Sequence, residues 1–434
     1  MADGWVAADD EADRIVVLGA GAKAVALSAK AAVLRELGHP VPGILAVEPA
    51  RVASAWTSAG GMTSGELVLG TPPEKDVGFP YLSARAWPGS PAVDVEMSRR
   101  FSWTSYLIRL GAYAEFIDRG RPGPRHRDWG DYLTWVCGES AMQVMRGAVT
   151  GIDLGSRWKI QVTSDDGTSM VIGASGLVIT GHGNVLARPA SDLRDRHSAP
   201  DTGDSCLTVA DFWHRAGADL LPDAGRIIVV GAGEAAAGIV EHLLRRGKHE
   251  VAVVCPGYAI FSRGESFYEN EMYSNPGRWH EFPLQVRRDF IGRTDRGVFS
   301  GQALTALAGL DRVEIIGGRA VDVRDCGTCA EVTVDRLSEK VQHRADLVID
   351  AGSRDAAWFL RLLSESVIAQ LTEALDGQVS ERGLCEAVAH DLSIRGLAPR
   401  MHVPNLAGLM QGPGFPGLSC LGLMSDRILG SYVS

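Results

Sequence analysis

The sequence predicts an α/β protein: two dinucleotide-binding (Rossmann-like) domains with a small, mainly helical substrate region. Two stretches predict it. In the first, Ile15-Val-Val-Leu18 is an apolar run suited to a buried parallel strand. Gly19-Ala-Gly21 then turns the chain into Ala22–Leu37, rich in Ala and Leu, which reads as a helix. Strand, glycine turn and helix together form the context a dinucleotide fingerprint requires. In the second stretch, Ile227-Ile-Val-Val-Gly231-Ala-Gly233 repeats the pattern 212 residues after the first. Two such units point to two nucleotide sites.

In the first unit, Gly19 permits the tight turn and Gly21 lets the backbone approach a pyrophosphate. The helix N-terminus adds free N–H groups and the positive end of its dipole. Ala24 stands where a third glycine is usual and is still small enough for close helix–strand packing. Gly43-Ile-Leu-Ala-Val-Glu48 reads as the second strand, with Glu48 placed to accept bonds from a ribose. Residues 56–81 are rich in Gly, Ser, Thr and Pro. They form a long loop of the kind that is usually functional. Lys75 lies within it and, taken alone, reads as a solvated loop lysine.

Residues 158–162 and 170–172 resemble hairpin strands, and Gly176-Leu-Val-Ile-Thr180 a buried strand. Leu221-Pro222 is the expected start of the second unit. Its second strand, Glu250–Cys255, ends in Cys255 where an enzyme that uses NAD would carry an acid. Arg263 follows, readable equally as a loop arginine or as a ligand for a 2′-phosphate. Together these favour NADP over NAD. Cys326-Gly-Thr-Cys329 lies between two alternating strand patterns and reads as a hairpin turn, with a dithiol redox pair as the alternative. The strand Ala345–Asp350 is expected to return the chain to the first domain. The expected domains are 14–220, 221–344 and 345–431. The first and last together would form the unit around the first glycine turn.

The chain has 434 residues, 45% of them hydrophobic, and a net charge of −10. That balance argues against nucleic-acid and anionic-membrane partners. The acidic start, Met1 to Asp13, lacks the apolar core of a signal peptide, and no apolar run approaches a membrane span. Seven scattered cysteines suggest reduced thiols and a cytoplasmic protein. No metal site is expected, and a homo-oligomer stays open.

Several stretches, taken in order, carry a resemblance. They are Gly19-Ala-Gly-Ala-Lys-Ala24, Pro73-Glu-Lys-Asp76, Phe101-Ser-Trp-Thr-Ser-Tyr-Leu107, Asp131-Tyr-Leu133 and Thr180-Gly181, then Gly231-Ala-Gly-Glu-Ala-Ala236, Asn270-Glu271 and Gly417-Leu-Ser419. The chain resembles the flavin-dependent N-hydroxylating monooxygenases of siderophore biosynthesis, above all the L-lysine N6-monooxygenases of the mycobactin and nocobactin type. The resemblance implies FAD at the first unit, with Gly19, Gly21, Ala24, Glu48, Trp56 and Ser419 as its ligands. It implies NADPH at the second, held by Gly231, Gly233, Glu234 and Arg263. NADPH would reduce the flavin, oxygen would add to give a flavin hydroperoxide, and the amine of L-lysine would attack it. Lys75 matches the residue that pairs with the substrate carboxylate, and Asn270 the residue at the reacting amine.

The chain departs from the family pattern at three positions. Asp295 replaces an Asn and reads either as a partner for a free α-ammonium group or as a helix N-cap. Gly70 replaces a Gln of the flavin loop. Glu234 replaces a Gln, and its charge should weaken NADPH binding. Ornithine N5-hydroxylation and a dithiol–disulfide reductase using Cys326 and Cys329 remain the alternatives.

Overall fold

The computed structural model describes residues 13–433 except 59–61, 182, 185–204, 222–223, 248, 311–312, 353 and 378. Pro222 and most of the acidic N-terminal segment lie outside the described residues. Two five-stranded sheets, parallel throughout, organise the chain. The first runs, in spatial order, Met401–His402, Gly176–Ile179, Arg14–Leu18, Gly43–Glu48 and Gln143–Arg146. The second runs Glu314–Gly317, Glu250–Cys255, Arg226–Val230, Leu347–Asp350 and Cys206–Thr208. In each sheet the strand before the glycine turn has a neighbour on both sides, so the turn sits at a topological switch point.

Burial explains the apolar runs. Ile15, Val16 and Val17 are fully buried, as a parallel strand covered on both faces requires. The helix Ala22–Glu36 is apolar nearly all round because it lies between the sheet and the final helix, Leu421–Gly430. One buried charge interrupts that contact. Lys30 pairs with Asp426 at 2.9 Å, both side chains essentially without solvent exposure. Asp426 also accepts Trp87 Nε1 at 3.0 Å and Ser83 Oγ at 2.9 Å.

The structure revises the domain limits in two places. Leu347–Asp350 does not return to the first sheet. It pairs in parallel with Arg226–Val230 in the second. Cys206–Thr208, expected in the first domain, lies beside it. Apolar periodicity identifies a strand but does not choose its partner. The chain crosses between sheets outside these limits, where Gly183–Asn184 and Arg354–Asp355 pair as a short antiparallel ribbon.

The two expected hairpins are present. Trp158–Thr163 pairs with Ser169–Ala174. Arg319–Asp325 pairs with Ala330–Arg336, and Cys326 N–H donates to the Cys329 carbonyl at 2.8 Å across the turn. Cys326 is exposed, and its neighbours push the thiol's pKa up, chiefly through desolvation. A raised pKa disfavours the thiolate a reductase needs. Cys326→Ser with Cys329→Ser should therefore leave amine-dependent NADPH oxidation within about twofold of the parent. A folded, flavin-loaded double variant without hydroxylation would revive the dithiol reading.

Candidate active site

The first glycine turn is shaped for a dinucleotide. Gly19 has φ +95°, and a Cβ there would stand 3.0 Å from Thr180 Oγ1. That hydroxyl is itself bonded to the Leu18 carbonyl. Gly21 caps the helix, and a Cβ on it would meet nothing within 4 Å. The space in front of the free helix N–H groups is thus open, as a pyrophosphate requires. Ala24 is fully buried against the strand.

Glu48 ends its strand as expected, but its carboxylate folds over the turn. Oε2 accepts Ala20 N–H at 3.0 Å and Oε1 accepts Ala50 N–H at 2.9 Å. Trp56 packs edge-on against His126 and joins an aromatic cluster with Trp129, Trp103 and Tyr132. Ser419 stands just before the final helix, beside buried Cys420. These residues fit FAD in the open cradle.

The second turn repeats the first. Gly231 has φ +110°, and a Cβ would lie 2.8 Å from Gly352 Cα. Gly233 caps its helix and opens onto space. Cys255 is buried and donates to the Ala259 carbonyl. Glu234 occupies the first helical turn, where its carboxylate accepts the Ser300 N–H. Burial raises its pKa.

Arg263 is engaged away from the strand end. Nη2 donates to the Gly70 carbonyl at 2.6 Å and Nε to Glu265 at 3.0 Å. Two of the three departures from the family pattern meet here: a Cβ on Gly70 would stand 3.2 Å from both Glu234 Oε2 and Arg263 Nη2. Glycine at 70 makes room for the acid at 234 and the arginine beside it.

The decisive contact joins Lys75 and Asn270, 195 residues apart. Lys75 Nζ donates to Asn270 Oδ1 at 3.0 Å, and Asn270 Nδ2 donates to the Glu265 carbonyl at 2.8 Å. Asn270 sits on the helix Phe267–Ser274, which Ser266 caps by accepting Glu269 N–H. Burial lowers the Lys75 pKa.

Two neighbours escaped sequence reasoning as site residues. Asp76 anchors the Lys75 loop, accepting Trp103 N–H at 2.9 Å and Tyr81 O–H at 2.7 Å. Burial outweighs these bonds and pushes it up to about 6. Cys420 donates to the Tyr273 carbonyl, and burial pushes its thiol up to about 12. Their role depends on chain segments that meet only in the fold.

Asp295 does not join this hydrogen-bonded pair. It is exposed at the C-terminal end of the helix Leu284–Thr294, so it is a C-cap and not an N-cap. Among the described residues no hydrogen bond or ion pair joins it to Lys75 or Asn270.

The family model described as L-lysine 6-monooxygenase/L-ornithine 5-monooxygenase matches residues 95–353. The L-lysine N6-monooxygenase MbtG of Mycolicibacterium paratuberculosis is 41% identical over 96% of this chain and 95% of its own. That of Mycobacterium tuberculosis is 40% identical over 96% and 95%. Among solved structures, the lysine monooxygenase NbtG of Nocardia farcinica superposes with a TM-score of 0.83 at 37% identity, covering 96% of this chain and 98% of its own. The ornithine N-hydroxylase KtzI of Kutzneria, at 19% identity and a TM-score of 0.72 over 97% and 98%, shares the fold. This chain belongs to the L-lysine 6-monooxygenase/L-ornithine 5-monooxygenase family.

Proposed function

We propose that the protein N6-hydroxylates L-lysine with FAD, NADPH and molecular oxygen, for a hydroxamate siderophore. The Lys75–Asn270 contact, in a chain with two open glycine cradles, carries this reading. Identity of 40–41% with lysine N6-monooxygenases supports lysine over ornithine. When bound and reduced by NADPH, FAD supplies the activated oxygen.

The chain's own residues bind and position. Lys75 offers an ammonium group to the substrate carboxylate. Asn270, tied by Nδ2 to the Glu265 carbonyl, turns Oδ1 to Lys75 and holds it in place. At 3.0 Å the pair is too close to grip opposite ends of one lysine, which are roughly 6 Å or more apart when extended. We therefore place both at the carboxylate end and move Asn270 away from the reacting nitrogen.

That nitrogen must be neutral to attack, although a free lysine amine has a pKa near ~10.4. Neutral surroundings at that end favour loss of its proton. The loop at Gly414 packs against the Tyr273 carbonyl with no room for a Cβ, which helps keep water out.

The function is tested by incubating the holoenzyme with NADPH and either lysine or ornithine, then identifying the product by mass. Absence of N6-hydroxylysine would sink the reading. The site assignment has its own test. Lys75→Met should raise half-saturating lysine about ten- to a hundredfold, the effect of one charge-assisted bond. Asn270→Ala should act in the same direction, and the double variant should fall well short of additivity. Additive effects, or an Asn270→Ala that only uncouples NADPH oxidation, would put the two residues at different ends.

A further inference from the structure

The first helix carries a cation that the roles above leave unused. Lys23 is its second residue, two positions beyond the open Gly21. Its Nζ donates to the carbonyl of Pro416 at 2.7 Å, reaching 393 residues along the chain. Pro416 lies in the glycine-rich loop before Ser419 and the final helix. The ammonium therefore ties the helix that opens the first cradle to the loop before the final helix.

It has no counter-charge. Among the described residues no carboxylate pairs with Lys23, and the first turn of its helix contains no acid. Burial alone acts on its pKa, lowering it to about 8, with no neighbouring charge to oppose the shift. The other lysine of this helix, Lys30, is committed to Asp426. The second unit differs: its helix opens with Glu234, an acid.

A desolvated ammonium held by one neutral carbonyl is costly unless an anion completes it. FAD brings negative charge in its diphosphate and gains more on its ring system when reduced. A helix N-terminus alone supplies only about half a positive charge toward it. We propose that Lys23 is the counter-cation for the negative charge of bound FAD, and that it locks the Pro416 loop onto the cofactor. This rests on the FAD reading of the first glycine turn.

The test measures FAD binding to apoprotein by fluorescence quenching, alongside the apoprotein's melting temperature. Lys23→Met removes charge and bond; Lys23→Gln keeps a donor for Pro416 and removes the charge. Both should bind FAD about ten- to a hundredfold more weakly than the parent, with Lys23→Arg close to the parent. ADP as competitor and the bound-flavin midpoint potential locate the charge. A parallel loss of ADP affinity assigns it to the diphosphate. Unchanged ADP affinity with a lowered potential assigns it to the ring. Parent-like FAD affinity and potential in Lys23→Gln would overturn the proposal. If the unsubstituted protein fails to bind FAD, the reading of the first site fails instead.

Discussion

Gly21→Val is expected to give a folded protein that purifies without flavin. Position 21 has φ −86°, which valine tolerates, and a Cβ would strike no protein atom within 4 Å. The fold therefore has no reason to fail. The side chain would instead fill the space before the helix N-terminus, and every contact there between backbone and diphosphate would be lost. Absorbance of the purified protein near the flavin bands, set against its circular dichroism, checks the result. Full flavin content in a folded variant would remove FAD from this turn.

The second large effect concerns stability. Asp426→Ala should cost about 3–5 kcal/mol, the usual result of stranding one half of a buried ion pair. It would leave the Trp87 indole N–H and the Ser83 hydroxyl without their acceptor, and the Lys30 ammonium with Ser83 Oγ but no counter-charge. Replacing both charges, Lys30→Met with Asp426→Leu, should recover most of the loss, because apolar packing substitutes for a desolvated pair. Urea denaturation of the apoproteins measures both. A single-variant loss below about 1 kcal/mol would mean that water or a rearranged partner reaches Lys30.

Local features were legible from the residues. Each glycine turn follows an apolar strand and opens a helix within a dozen positions. The Cys326–Cys329 turn is likewise flagged by Gly327 between alternating strands. Non-local features were not. Lys75 reads alone as a loop lysine, and only the resemblance paired it with Asn270. Even then their direct contact, on which the proposed placement of both at one end of the substrate rests, needed the fold.

Asp295 misled because Thr-Asp is an N-cap pattern when the preceding helix is overlooked; here that helix ends at Thr294. Linear spacing relates Arg263 to Cys255 and leaves both of its readings open; that its guanidinium reaches the Gly70 carbonyl in the first unit's loop is not encoded there. Lys30 in an apolar helix carries no sequence mark of Asp426, 396 residues away.

The ribbon formed by Gly183–Asn184 and Arg354–Asp355 has an architectural consequence. Paired strands lie about 5 Å apart, so the chain leaves and rejoins the first unit at nearly one point. The segment between, including the whole second sheet, is an insertion with its ends clasped. Such a cassette is transplantable in principle: a short linker would close the gap it leaves. It also carries Asn270, whereas Lys75 stays in the host unit. Exchanging the cassette would therefore break the Lys75–Asn270 hydrogen bond as well as replace the second glycine turn, and on the proposed roles of that pair it would alter substrate recognition along with coenzyme preference.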